Sequence, residues 1–208
     1  VDSCNLCCTY CYQIAKQEHV MSWEVAKQFC DLLLDSTEEN NEYINPEISN
    51  GLIMEFIGGE PFLAIELIDK ICDYMIDQMI IRHHPWATRF MISICSNGVL
   101  YFDPRVQAFM EKHKNHLSFS ISIDGCKELH DACRVFPDGS GSYDIAMAGV
   151  EHFREHFKGK MGSKMTLAPG NIDYTFKAVK SLIENGYDEI NLNCVYEKGW
   201  TTEHAKIL

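Results

Sequence analysis

The sequence predicts an α/β fold built from parallel strands. Five short apolar runs alternate with longer segments of helical periodicity, and Gly, Pro and Asn-Gly signals stand between them. Strands alternating with helices of this length form parallel β/α units, as in open doubly wound sheets and β/α barrels. With 208 residues and 46% hydrophobic content, the chain can bury a sizeable core. We therefore predict one domain over residues 1–208.

The predicted strands are short and apolar. They cover Leu52–Ile57, Arg89–Cys95, Leu117–Ile123, Lys164–Leu167 and Glu189–Val195. A further, first strand would normally lie upstream of Cys4, where only three residues remain. We expect that first strand to be largely missing and the loop that begins at Cys4 to be poorly anchored.

Helical periodicity occupies the segments between these strands. It predicts helices over Ser22–Asp35, Ala64–Arg82, Pro104–Lys112, Tyr143–Phe157 and Ile172–Glu184. Ser22 has the side chain of an N-cap residue, and the polar stretch Thr37–Asn50 predicts a loop. In parallel β/α folds the chemistry lies at the carboxyl ends of the strands, on the loops that follow them.

Charge and hydropathy exclude several classes of protein. The formal net charge of −12 disfavours nucleic-acid binding, which needs a basic face. Apolar runs stay well short of the roughly 20 residues that span a bilayer, and the chain does not open with a secretory signal. We expect a cytoplasmic protein without a nucleic-acid or membrane partner. Its ten cysteines then suit thiols in a reducing compartment better than disulfides.

Three cysteines near the start, Cys4, Cys8 and Cys11, have the spacing C-x3-C-x2-C. A structural zinc site typically uses two separated C-x-x-C pairs, and this compact run leaves little room for that geometry. One loop that provides three thiolates can instead hold three irons of a 4Fe–4S cluster and leave the fourth iron without a protein ligand. We predict such a cluster at these three residues.

The same residues resemble the radical S-adenosylmethionine (SAM) superfamily, whose motif C-x3-C-x-aromatic-C is matched with Tyr10 as the aromatic. Gly58-Gly59-Glu60-Pro61 looks like the family's GGEP element, placed after the next strand. The resemblance implies that SAM binds the open iron, and that Glu60 and the glycines meet its ammonium group. Glycines let a backbone approach closely, and a carboxylate pairs with an ammonium.

Later segments extend the resemblance in the family's order. The turn at 96–98 is similar to its "TNG" loop, residues 118–125 to its "SiDG" strand end, and 130–134 to an "HD..R" pattern. By resemblance, the further candidates for cofactor contacts are Ser96, Asn97, Ser122, Asp124, Arg134 and Asn193. The implied fold is a partial (β/α)6 TIM-like barrel of the radical SAM type with its first strand largely missing.

Among radical SAM proteins, the motifs look most like the branch of peptide and protein maturases. The resemblance implies reductive cleavage of SAM to a 5′-deoxyadenosyl radical that abstracts hydrogen from a peptide side chain, with thioether crosslinking as the first hypothesis. The alternatives are an anaerobic sulfatase maturase that forms formylglycine and a non-catalytic iron–sulfur domain. We expect a peptide or protein substrate, an external electron donor such as flavodoxin or ferredoxin, and a core fragment without the branch's C-terminal auxiliary-cluster (SPASM or twitch) domain.

Overall fold

The computed structural model describes residues 1–13, 17–35, 45, 48–159, 161–187, 189–196 and 199–207. Its strands in this part of the chain are β1 (Leu52–Phe56), β2 (Phe90–Ser96), β3 (Leu117–Ile121), β4 (Ser163–Leu167) and β5 (Ile190–Cys194). They are hydrogen-bonded in the order β1, β2, β3, β4, β5. The pairs β1–β2, β3–β4 and β4–β5 are parallel. The five predicted strands are confirmed, with ends shifted by at most two residues.

The helices of the described residues follow the predicted alternation. They are α1 (Trp23–Leu34), α2 (Ile65–Ile81), α3 (Pro104–His113), α4 (Lys127–Cys133), α5 (Tyr143–Phe157), α6 (Thr175–Glu184) and α7 (His204–Ile207). Short 3-10 helices cover Pro61–Ala64, Pro85–Thr88 and Ile172–Tyr174. The prediction missed α4, and the helix predicted from Ile172 begins with a 3-10 turn. The predicted loop Thr37–Asn50 lies largely outside the described residues.

The chain divides into two compact units. Unit 1 contains residues 1–3, 17–94 and 103–118, and unit 2 contains residues 4–16, 95–102 and 119–208. The prediction of one domain stays a prediction. A search of the described helices for a segment able to cross a bilayer finds no candidate.

In unit 1, α1 packs against α2 beside the β1–β2 pair. The Ser22 hydroxyl accepts a hydrogen bond from Val25 N at 3.3 Å, which confirms the predicted N-cap. Ala26, Cys30 and Leu34 are buried at four-residue intervals along α1. This spacing places one apolar stripe on the core side of the helix.

In unit 2, β4 lies between β3 and β5. It pairs with β5 over its whole length, from Ser163–Ile190 to Leu167–Cys194. The end of β2 joins the same unit, because Ser122 N donates to Ser96 O at 2.9 Å. The core is apolar, with Ile121, Ile123, Met165 and Leu167 fully buried. The carboxyl ends of β2, β3 and β4 therefore belong to one unit, and the loops that follow them contain the candidate site.

The turn that follows β3 needs glycine at one position. Gly125 has φ +100°, and a Cβ atom there would lie 2.4 Å from the Cβ of Ala178 in α6. Gly139 has a similar φ of +85° but has open space around its missing Cβ. The two glycines therefore share the backbone constraint but differ in packing.

We predict that Gly125→Ala destabilises the protein more than Gly139→Ala. Both changes incur the left-handed backbone penalty of about 1–2 kcal/mol. Only Gly125→Ala adds an overpacking cost of about 1–3 kcal/mol, because α6 must move. Urea denaturation of both variants and the wild type measures the difference. Equal losses in the two variants would show that α6 accommodates the methyl group freely.

Candidate functional site

The cysteine loop of unit 2 is held by its backbone. Cys7 N donates to Val135 O at 2.7 Å, and Thr9 N donates to Cys133 O at 2.9 Å. Alternate residues of the loop thus pair with the segment that ends α4. The expectation of a poorly anchored loop is wrong, because the sequence does not reveal that the end of α4 provides these two acceptors.

The predicted ligands Cys4, Cys8 and Cys11 are half-buried in this loop. Burial raises the pKa of the Cys8 thiol to about 11, although the positive charge of Arg134 opposes the shift. A thiol of this kind binds metal by releasing its proton to the solvent, because the bound cation stabilises the thiolate. The site can therefore accept a cationic metal centre.

The arrangement of the three sulfur atoms bears on the kind of metal centre. Within the described residues, the one group of three or more potential ligand atoms lying within 4.8 Å of one another is Asp69, Asp73 and His113. The three thiols do not form such a group, whereas the ligands of one zinc ion, each about 2.3 Å from the metal, would. An iron–sulfur cluster needs no such common point, because each cysteine binds a different iron. The Asp69 carboxylate of the Asp69–Asp73–His113 group forms an ion pair with the Lys112 ammonium, at 2.8 Å.

A buried carboxylate connects this loop to β3, α4 and β4. The fully buried Asp124 accepts a hydrogen bond from the Tyr10 phenol and another from Thr166 N at 3.0 Å. Arg134 forms a two-point ion pair with it, Nε to Oδ2 at 2.9 Å and the second guanidinium nitrogen to Oδ1 at 3.2 Å. Burial, aided by Asp124, raises the pKa of Tyr10 well above its usual range, so its phenol stays a donor.

His130 fixes the backbone at Asp124. Its Nδ1 accepts from Asp124 N at 3.3 Å, and its Nε2 lies 3.0 Å from the hydroxyl of Ser142, which donates to Arg134 O at 2.8 Å. Because the Ser142 hydroxyl donates its proton to the Arg134 carbonyl, the Nε2–H group of His130 must donate to the Ser142 oxygen. Burial, together with the nearby Arg134 charge, lowers the pKa of His130 to about 4. The sequence pattern indicated His130 and Arg134, but gave no sign of Ser142 or of the Thr166 amide.

The predicted turn residues Ser96 and Asn97 also lie in unit 2. Ser96 is buried and accepts a hydrogen bond from Gly98 N at 3.0 Å. The Asn97 amide contacts two residues of the cysteine loop, Asn5 and Cys4. The sequence thus predicts residues that the structure brings to the cysteine loop, although their roles toward SAM stay predictions.

Two other residues with predicted cofactor contacts are Ser122 and Asn193. The hydroxyl of Ser122 lies 3.6 Å from the sulfur of Cys95. Asn193 is exposed on β5, where it pairs with Thr166 of β4. Their predicted roles in cofactor binding stay predictions.

The GGEP segment belongs to unit 1. Gly59 N donates to Val1 O at 2.8 Å, and Glu60 N donates to Ser3 O at 2.8 Å, so the residues just before Cys4 are hydrogen-bonded to this turn. A Cβ atom on Gly59 would lie 2.1 Å from Ser3 O, which explains the glycine. The buried Glu60 carboxylate accepts from Phe62 N at 3.1 Å, and Pro61 begins the 3-10 helix. The predicted contacts of Gly58–Pro61 with SAM stay predictions.

A cavity of about 600 Å³ lies beside Cys11 in unit 2. The cysteine loop forms one wall, with Tyr10 and Tyr12. The opposite walls come from α4, the loop after β4 and Val195 at the end of β5. Cavities of this volume, mainly apolar and at the carboxyl ends of parallel strands, commonly hold small-molecule ligands.

Comparisons with known proteins agree with this geometry. The family described as "4Fe-4S single cluster domain" matches residues 1–93. A serine-type anaerobic sulfatase-maturating enzyme of Bacteroides thetaiotaomicron is 28% identical over 160 residues, which cover 74% of this chain and 34% of the enzyme. The solved structure of anSMEcpe with bound AdoMet and Kp18Cys peptide has a TM-score of 0.77 at 21% identity, covering 99% of this chain and 55% of that one. These matches agree with the resemblance to radical SAM enzymes that the motifs indicate.

The chain spans only part of the length of its relatives. An uncharacterized protein of Methanocaldococcus jannaschii is 28% identical over 205 residues, which cover 99% of the chain and 63% of that protein. The structural likeness to anSMEcpe extends over nearly the whole chain, so the predicted α/β fold of the radical SAM type is confirmed. The curated relatives include serine-type and cysteine-type anaerobic sulfatase-maturating enzymes, in agreement with the maturase branch that the motifs resemble.

We predict that Asp124→Ala lowers the free energy of unfolding by about 3–5 kcal/mol, because it leaves the Arg134 charge buried without its partner. The double variant Asp124→Ala/Arg134→Ala should lose less than the sum of the losses in Asp124→Ala and Arg134→Ala. Denaturant unfolding of all three variants measures the coupling. Glu128→Ala is the matched control, since its ion pair with Lys177 is exposed and should contribute no measurable stability. Additive losses at the buried pair would contradict the prediction.

We also predict that the stability of the protein falls as the pH decreases from about 6.5 to about 4 because of His130. The pKa of His130 is 6.5 in the unfolded chain and about 4 in the folded chain, so the unfolded state binds more protons in this pH range. The full contribution is roughly 3 kcal/mol, present above the unfolded pKa and lost as the pH falls toward the folded pKa. Unfolding measured at several pH values should show a shallower slope for His130→Gln. An identical slope in His130→Gln and the wild type would refute the assignment.

Proposed function

We propose that this chain is the catalytic core of a radical SAM enzyme that binds a 4Fe–4S cluster through Cys4, Cys8 and Cys11. One observation carries the proposal: three half-buried thiols lie on one anchored loop, and the last of them, Cys11, lines a cavity of about 600 Å³. Three cysteine ligands leave the fourth iron open, and SAM would occupy the adjoining cavity. When bound and reduced, the cluster supplies the electron that cleaves SAM to a 5′-deoxyadenosyl radical.

The residues around the loop contribute position and charge. Tyr10, held by Asp124, fixes the loop between Cys8 and Cys11. Arg134 has its Cζ 5.5 Å from the centre of the Tyr10 ring, and its charge acts on Cys8. A fixed positive charge in a buried site favours binding of anionic thiolates. Tyr10 and Tyr12 line the cavity and would shield a bound cofactor from water.

For the substrate, we propose a peptide side chain from which the radical abstracts hydrogen, with thioether crosslinking as the first candidate reaction. Formylglycine formation is the second candidate, and the sulfatase-maturating relative favours it. The bound peptide in the anSMEcpe structure supports a peptide substrate in either case. We further propose a cytoplasmic location and an electron donor such as flavodoxin or ferredoxin, because the cluster needs a reducing environment.

Anaerobic reconstitution with iron and sulfide tests this proposal. We predict about four irons per chain and formation of 5′-deoxyadenosine from SAM and a strong reductant. Cys8→Ala should lose both the bound iron and the formation of 5′-deoxyadenosine, because it removes one ligand of the cluster. Cys7→Ala is the matched control: this neighbouring cysteine is exposed, is not a predicted ligand, and contributes only its backbone N–H to the loop.

The outcomes separate the candidate functions. A loaded cluster that yields no 5′-deoxyadenosine would indicate a non-catalytic iron–sulfur domain, and failure of the wild type to load would refute the proposal. Mass spectrometry of peptides that contain Cys or Ser then separates the reactions. A thioether retains the sulfur and loses hydrogen, whereas formylglycine formation from Cys removes the sulfur.

A further inference from the structure

Asn97 follows β2 in a buried turn, and its side chain is fixed at both ends. Its Oδ1 accepts a hydrogen bond from Val99 N at 3.0 Å. Its Nδ2 donates to the Asn5 side-chain oxygen at 2.7 Å. The backbone N–H at Val99 can only donate, so the amide cannot be turned over. The nitrogen end must face the cysteine loop.

This orientation directs Nδ2 to a predicted cluster ligand. Nδ2 lies 3.7 Å from the sulfur of Cys4, within the longer reach of N–H···S contacts. An amide nitrogen carries two protons, so the contacts with Asn5 and Cys4 can form together. A second N–H, from Leu6, lies 3.5 Å from the same sulfur. Asn97 is only 7% exposed and Leu6 is fully buried, so water competes weakly for these contacts.

We infer that Asn97 is a positioning residue for Cys4 and raises the reduction potential of the cluster through its N–H···S contact. The inference rests on the proposed function, in which Cys4 binds iron. Reduction adds one negative charge, which is shared with the ligand sulfurs. A partly positive N–H stabilises the reduced cluster more than the oxidised one, and a buried, low-dielectric site strengthens the effect.

This role differs from the contact with SAM that the sequence resemblance implies for Asn97. It also explains why the turn needs an amide. Serine and aspartate would accept the Val99 hydrogen bond equally well, but aspartate has no N–H and serine is too short to replace the amide. An asparagine can stabilise the turn with its oxygen and contact the sulfur with its nitrogen.

The test is a redox titration of the reconstituted protein without SAM, followed by electron paramagnetic resonance. Asn97→Ala removes the donor, and Asn97→Asp also places a carboxylate near the sulfur. Both should lower the potential, Asp more than Ala. We expect roughly tenfold less reduced cluster in Asn97→Asp at a fixed applied potential, which corresponds to about 59 mV for a one-electron couple. Both variants should also release iron to a chelator faster than the wild type.

Asn171→Ala is the matched control. The Asn171 Nδ2 lies 3.7 Å from the sulfur of Cys133, the same distance as in the Asn97 contact, but Cys133 is not a predicted ligand. This variant should keep the wild-type potential. If both Asn97 variants load a full cluster at the wild-type potential, the inference is wrong although the proposed function stands. If the wild type binds no iron, the proposed function itself fails.

If Asn97→Ala binds no cluster while the wild type binds one, circular dichroism shows whether the variant is folded. A native spectrum supports the positioning role, because only the cysteine loop has lost its geometry. In that case Asn97→Asp, which retains the size of the side chain and the acceptor for Val99 N, decides the effect on potential. An unfolded Asn97→Ala combined with a wild-type potential in Asn97→Asp would overturn the inference.

Discussion

The buried carboxylate of Asp124 is the contact on which the arrangement of the candidate site depends. It joins three parts of unit 2: the cysteine loop through Tyr10, the end of α4 through Arg134, and β4 through the Thr166 amide. Taking an ion pair out of water costs several kcal/mol for each ion, and only nearly complete hydrogen bonding offsets that cost. Because Oδ2 accepts from the Tyr10 phenol as well as from Arg134, a shift of the cysteine loop would remove one hydrogen bond from this buried carboxylate.

The neighbouring histidine and aspartate give the HD..R pattern a physical meaning in this chain. His130 fixes the Asp124 backbone and must stay neutral to do so. Asp131 accepts a hydrogen bond from Tyr143 N at 2.8 Å, where α5 begins. Arg134 pairs with the Asp124 side chain. Each residue of the pattern thus contributes to the support of one turn, and none needs a cofactor for its geometry to be explained.

The sequence predicts more of the fold than of the candidate site. The strands are predicted from short apolar runs bounded by turn signals, and β2, β3 and β4 bury alternate residues. Helix α4 was missed because its seven residues are too few to show periodicity. Spacing alone predicts the cysteine ligands, since their chemistry is local, and their role stays a prediction. The pairing of Asp124 with Arg134 and Tyr10 was not predictable, because it depends on where three distant segments meet, and pattern analysis treats each segment separately.

The groups buried at the cysteine loop differ in charge from the acidic chain as a whole, because Arg134 and Asp124 form a balanced ion pair there. The formal net charge is −12, which would oppose the addition of electrons to an anionic cluster if all charges acted equally. Surface charges are screened over about 8–10 Å in physiological salt, whereas buried groups are screened much less. The buried groups near the sulfurs include the Arg134–Asp124 pair, whose two charges act on Cys8 in opposite directions, and the amide N–H groups near Cys4. We therefore expect these few buried donors, rather than the acidic surface, to set the reduction potential of the cluster.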